Sequence, residues 1–122
     1  MDSPQILLVD DEPNIVMSLE FLLRKKGYHV SIARNGKEAL EAIDQMPFAV
    51  ILLDVTMPDV DSYQVCRHVR QRSDRLTTKV VFLSAHGEEA DIQKGYELGA
   101  DLYIAKPFST RQLMEQVRAL IG

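Results

Sequence analysis

Cysteine is almost absent from the 122-residue chain and tryptophan is wholly absent; prolines number five and glycines six. The single thiol, Cys66, cannot close an internal disulfide, and that points to a cytoplasmic location. No apolar run approaches the roughly 18 residues that a membrane span requires. The opening Met1-Asp2-Ser3-Pro4 has no basic segment followed by an apolar stretch, so nothing there resembles a secretory signal. Basic residues are in the minority, 14 against 18 acidic ones, for a net charge of -4. That balance removes the electrostatic reason to expect direct nucleic-acid binding. None of the six glycines, at 27, 36, 87, 95, 99 and 122, forms a loop that could cradle a phosphate. There is also no internal repeat, no low-complexity tract and no linker.

What is present is ordinary globular composition, 46% apolar and 26% charged, in a length that suits one domain spanning 1–122. Four short apolar runs each end in a group able to handle metal or phosphate. Ile6-Leu7-Leu8-Val9 precedes Asp10-Asp11, and Val50-Ile51-Leu52-Leu53 precedes Asp54. Val80-Val81-Phe82-Leu83 precedes Ser84, and Leu102-Tyr103-Ile104-Ala105 precedes Lys106. A fifth strand, near His29 to Ala33, alternates about Val30 and Ile32 as an edge strand would.

Helical periods fill the gaps. Pro13 suits a first helical position, Ile15, Leu19, Leu22 and Leu23 share a face, Arg24, Lys25 and Lys26 suit the negative end, and Gly27 stops the helix. Asn35 with Glu38 reads as a cap opening a second helix through Ala39, Leu40 and Ile43, closed by Pro47. A third runs from about Asp61 through Val65 and Val69 to Arg72. A fourth, near Glu88 to Leu98, is marginal: Gly95 interrupts it and its stripe is mainly Ile92 and Tyr96. The fifth starts at Ser109, with Gln112 completing a capping box, and buries Leu113, Val117, Leu120 and Ile121. Strict alternation of five strands and five helices predicts an α/β fold, a doubly wound parallel sheet covered on both faces.

In such a sheet the carboxyl ends of the strands lie along one edge, and residues far apart in sequence converge there. Taken singly, each has a plain structural reading. Asp10 or Asp11 could simply cap the following helix, Ser84 could be a capping hydroxyl, and Lys106 a surface lysine. Occurring together at four strand ends, the acids would hold a divalent cation, and the hydroxyl and amine an anion. The basic stretch Arg67, Arg70, Arg72, Arg75 and Lys79 has two readings, a phosphate-binding patch or a solvated helix face and loop. The interruption by Asp74 and the single aromatic, His68, favour the second.

With these residues in view, the chain resembles a response-regulator receiver domain of two-component signalling, chemotaxis receivers included, over nearly its whole length. The resemblance rests on Asp10-Asp11 followed by Glu12-Pro13, Asp54 followed by Met57-Pro58, Ser84-Ala85, Leu98-Gly99-Ala100-Asp101, and Lys106-Pro107-Phe108. It implies the flavodoxin-like strand order 2-1-3-4-5, in which the first and third strands flank the switch point. It also implies that Asp54 accepts a phosphoryl group from a histidine kinase or a histidine phosphotransfer protein. A carboxylate is a poor nucleophile toward an anionic phosphoryl group unless charge is screened, and Mg2+, a hard cation that keeps several waters, suits that role. By resemblance Asp11, Asp54 and the backbone carbonyl of Thr56 would be ligands, with Asp10 acting through water. Lys106 would place a second positive charge on the phosphoryl oxygens.

The new charge, roughly -1.5 to -2 with three acceptor oxygens, would then attract the nearest donor, Ser84. In the family an aromatic three residues before the lysine rotates into the vacated space; here that is Tyr103, whose other reading is a strand tyrosine packed with its hydroxyl in water. The face built from the fourth helix, fifth strand and fifth helix would differ between states and control a downstream protein or a fused output domain. The Lys106–Pro107 bond, cis in relatives, is a candidate cis peptide that would aim the lysine, although sequence alone gives cis a low prior.

Some positions depart from the family. Ser62 stands where relatives usually carry glycine, and Thr56 and His86 fall where the family varies phosphoryl lifetime. Leu102 replaces an acid often found in receivers that dimerise through the fourth-helix to fifth-helix face, which weakens the case for that homodimer. Two other functions compete. One is a Mg2+-dependent phosphohydrolase acting through an aspartyl phosphate, although Thr56 occupies the position of the second acid such enzymes use. The other is a flavin or nucleotide binder of similar topology, against which the scattered glycines stand. The expectation is therefore a signalling domain that catalyses only its own phosphorylation and dephosphorylation, and otherwise not an enzyme.

Overall fold

The computed structural model describes residues 3–54, 62–72, 77–84, 96–97, 99–105 and 108–121. The strands are β1 (Gln5–Val9), β2 (His29–Ala33), β3 (Val50–Asp54), β4 (Lys79–Ser84) and β5 (Leu102–Ala105). They form one parallel sheet in the order β2-β1-β3-β4-β5, the expected doubly wound arrangement. The helices are α1 (Pro13–Lys25), α2 (Gly36–Gln45), α3 (Ser62–Gln71) and a C-terminal helix (Thr110–Ile121). The expected fourth helix, Glu88 to Leu98, lies outside the described residues except for Tyr96 and Glu97, which are helical. Tyr96, expected on its apolar stripe, is 44% exposed.

The central strands read as unbroken apolar runs because both faces of the sheet are covered. Every residue of β3 is buried, and in β1 and β4 only the first residue is partly exposed. Two cores result. On one face Leu7, Val9, Ile51, Leu53, Val80 and Phe82 meet α2 and α3 through Ala39, Ile43, Val65, Cys66 and Val69. On the other, Ile6, Leu8, Val50, Leu52, Val81 and Leu83 meet α1 and the C-terminal helix through Val16, Leu19, Leu23, Leu113 and Val117. Burying side chains of this size stabilises the fold by roughly 1.5–3 kcal/mol each.

Helix ends follow local chemistry. Asn35 Oδ1 accepts the Glu38 N–H at 2.8 Å, and Glu38 reaches back to the Arg34 N–H at 3.2 Å, which closes the box that opens α2. Ser109 Oγ accepts the Gln112 N–H at 3.4 Å, a long cap at the start of the C-terminal helix. Gly27 follows α1 with φ +93°, a conformation that suits glycine. The buried stripe of α1 is Val16, Leu19 and Leu23, whereas Ile15 and Leu22, expected on it, are only half-buried. The helix is rotated by part of a turn relative to the sequence reading, leaving Met17 and Phe21 exposed. Ser62 opens α3, and a helical residue has no need of the positive backbone angle that a glycine would supply there.

Candidate functional site

β1 and β3 are neighbours in register, Val9 opposite Leu53, so the residues that follow emerge side by side. Asp10, Asp11 and Asp54 each offer a carboxylate oxygen within 4.8 Å of the others. Asp10 and Asp54 are buried, 0% and 3% exposed, and Asp11 is open to solvent. Asp10 also serves the helix that follows it. Its Oδ1 accepts the Glu12 N–H at 2.9 Å at the start of α1, so the capping role considered for it is real and coexists with the cluster. Three carboxylates gathered at this spacing, two of them out of water, repel one another and lose hydration unless a cation joins them. An all-oxygen set with one side open to solvent suits a hard divalent ion that retains waters.

Ser84 closes β4 at the same edge, buried at 1% exposure. Its register partner is Ala105, and the residue before it, Leu83, pairs with Asp54. The hydroxyl therefore stands one position beyond the level of Asp54 on the adjacent strand. Tyr103, opposite Phe82 in β5, is half-buried, with its ring packed edge-on against Phe82 at 6.1 Å between centroids. Phe82 meets Tyr63 of α3 in the same way at 6.0 Å. Thr56, Lys106, Pro107 and His86 lie outside the described residues.

Two residues of the basic stretch, Arg70 and Arg72, are engaged in intramolecular bonds, which weighs against a phosphate patch. Arg72 and His68 both hold Asp44 Oδ1 on α2, at 2.7 and 2.8 Å. The hydrogen bond from His68 leads in holding the Asp44 carboxyl below the usual carboxylate value, with Arg72 assisting. Arg70 donates to Gly99 O, Thr78 O and Asp101 Oδ2. Arg67 is exposed and Arg75 lies outside the described residues. The role of Arg70 was missing from the sequence reading, although its place beside Val69 and four residues after Cys66 put it on the flank of a buried face. Cys66 is buried under the sheet, and loss of hydration pushes its thiol up to about 11.

Comparison with known proteins agrees with this geometry. Residues 6–118 match the response regulator receiver domain family. The transcriptional regulatory protein ResD of Bacillus subtilis is 40% identical over 117 residues, 96% of this chain and 48% of its own length. The chain thus spans about half the length of the curated relatives it matches. Among solved structures, the chemotaxis response regulator CheY4 of Vibrio cholerae superposes with a TM-score of 0.89 at 29% identity, covering 97% of this chain and 98% of that one. The receiver domain of the sensor histidine kinase PA1611 from Pseudomonas aeruginosa, solved with a magnesium ion coordinated in its active-site cleft, gives 0.87 at 28% identity and covers 98% of both chains. The phosphohydrolase alternative gains no support from these likenesses. Strand order, the gathered aspartates and the match over residues 6–118 agree: the chain belongs to the response regulator receiver domain family.

Proposed function

We propose that residues 1–122 form a single receiver domain in which Asp54 takes a phosphoryl group from a histidine kinase or phosphotransfer protein, and that the aspartyl phosphate is the signal. The observation that carries this reading is the convergence of Asp10, Asp11 and Asp54 within 4.8 Å at the edge between β1 and β3. Asp54 is the acceptor because it ends the central strand beside Ser84, while Asp10 is already engaged with the start of α1. The cluster suits Mg2+, with Asp11, Asp54 and the Thr56 carbonyl as direct ligands and Asp10 behind them. When bound, the ion would screen the charge between carboxylate and incoming phosphoryl group. Lys106 is assigned the second positive charge on the phosphoryl oxygens.

Ser84 is the hydroxyl that answers the new charge, and Tyr103, packed on Phe82, is the ring whose position follows it. The face carrying β5 and the C-terminal helix then passes the change to a downstream protein or an output domain. Transcriptional regulators among the relatives favour an output that acts on gene expression. The domain acts in the cytoplasm and turns over no separate substrate. Incubation with acetyl phosphate and Mg2+ should add one phosphoryl group by mass, and Asp54→Asn should abolish it. Labelling that persists in the variant would refute the assignment.

A further inference from the structure

β5 is an edge strand, and its own burial says little about its register. Leu102, Tyr103 and Ile104 are all half-buried and Ala105 is exposed. Register is weakly specified where neither face of a strand is decisively buried, yet a slip of one residue would exchange the two faces. Here the slip would carry Tyr103 away from Phe82 and into the core that Leu102 and Ile104 join.

The joint below the strand supplies what the strand lacks. The Asp101 N–H donates to Val80 O at 2.8 Å, and Asp101 Oδ2 accepts the Val80 N–H at 2.8 Å, so one residue grips β4 by both backbone groups of Val80. Arg70, from the end of α3, holds that same Oδ2 through Nη2 at 2.7 Å. Its Nε and Nη2 both donate to Gly99 O, at 2.9 and 2.8 Å, and its Nη1 donates to Thr78 O at 2.6 Å. Gly99 has φ +104°, and a Cβ there would lie 2.8 Å from Arg70 Cγ, so the arginine stem occupies the space that a side chain would need. One guanidinium therefore ties α3, the approach to β4 and the approach to β5 into a single joint. The bonds are charge-assisted and directional, qualities that fix geometry more than they add net stability.

We propose that Arg70 is a positioning residue for the phosphoryl centre, locking β5 in register with β4 and so setting where Tyr103 and the end of β5 stand relative to Ser84. Ala105 pairs with Ser84, so an error at Asp101 propagates along one strand to the level of the Ser84 hydroxyl, and Lys106 is the next residue in the chain. The proposal rests on the phosphoacceptor reading given above. Asp10, Asp11 and Asp54 lie at the ends of β1 and β3, which Arg70 does not touch through any of these bonds, so cation affinity is separable from the register of β5.

The test is the rate of acetyl phosphate labelling, read by mass spectrometry, for the wild type, Arg70→Met, Lys106→Ala and the double variant, with Mg2+ affinity measured by calorimetry. A wild type that takes up no phosphoryl group would remove the reading of Asp54 and this inference with it. Given a labelled wild type, Arg70→Met should slow labelling by about tenfold or more, the scale expected of a small misplacement of a catalytic group. Its Mg2+ affinity should be unchanged, and it should add nothing in the Lys106→Ala background. A wild-type rate in Arg70→Met, or a loss that recurs in full without Lys106, overturns the proposal. If circular dichroism shows Arg70→Met unfolded, Asp101→Asn takes its place, because the amide oxygen can still accept the Val80 N–H while the charge that Arg70 grips is gone. A wild-type rate in that variant likewise overturns the proposal.

Discussion

At the scale of single residues, this domain illustrates how position in a sheet decides what a side chain can do. Asp10, Asp11 and Asp54 are ordinary acids until β1 and β3 bring them to one edge. A direct consequence is that chelation with EDTA should stop labelling by acetyl phosphate while far-ultraviolet circular dichroism stays unchanged, because the cores contain no part of the cation site. Cys66 presents the opposite case, chemistry suppressed by burial. Its thiol value is raised from 9.0 to about 11, chiefly by desolvation, so at neutral pH it is a neutral, shielded group. It should resist iodoacetamide in the native protein and react once the chain is unfolded in urea. Because the folded value lies above the unfolded one, any stability linked to this thiol is complete below the ordinary value of 9.0 and is lost as pH rises toward about 11. Urea midpoints measured across that window should fall less steeply in Cys66→Ala than in the wild type.

Among the elements, caps and turns carry much of the specificity. Asn35→Ala removes the acceptor for the Glu38 N–H and should cost about 1 kcal/mol in urea denaturation. Gly99→Ala is a harsher change: the new methyl group meets a left-handed backbone and the Arg70 stem together, which should cost about 1–3 kcal/mol. Parity of the two losses would indicate that the joint below β5 relaxes freely. The strands and the caps at Asn35 and Ser109 were legible in the sequence because apolar runs and the Asn35/Glu38 and Ser109/Gln112 spacings are local signals. The rotation of α1 was not. Ile15, Val16, Leu19, Leu22 and Leu23 span more than one face, and only packing against β2 and the C-terminal helix selects Val16 over Ile15. Arg70 was also hidden, because its partners Thr78, Gly99 and Asp101 lie 8, 29 and 31 residues away and form no local motif.

Viewed as a whole molecule, the two cores share one sheet, and β3, which carries Asp54, is buried along its whole length. Leu52, in the middle of β3 and fully buried, contacts the core on the side of α1 and the C-terminal helix. Leu52→Ala should therefore cost about 2–5 kcal/mol by calorimetry. The gathering of Asp10, Asp11, Asp54 and Ser84 at one sheet edge was legible, since these residues follow or end apolar runs that themselves dictate the sheet. Its geometry was not, because the sequence cannot say that Asp10 both accepts the Glu12 N–H at the start of α1 and joins the carboxylate cluster.

The strand order has a further consequence during synthesis. Within this domain β1 is synthesised before the other strands, yet it lies between β2 and β3 and cannot be flanked on both edges until residue 54 has been translated. A nascent chain stalled shortly after Ala33 would display Ile6 to Val9 with one edge bare, a state that chaperones bind and that neighbouring polysomal chains could pair with.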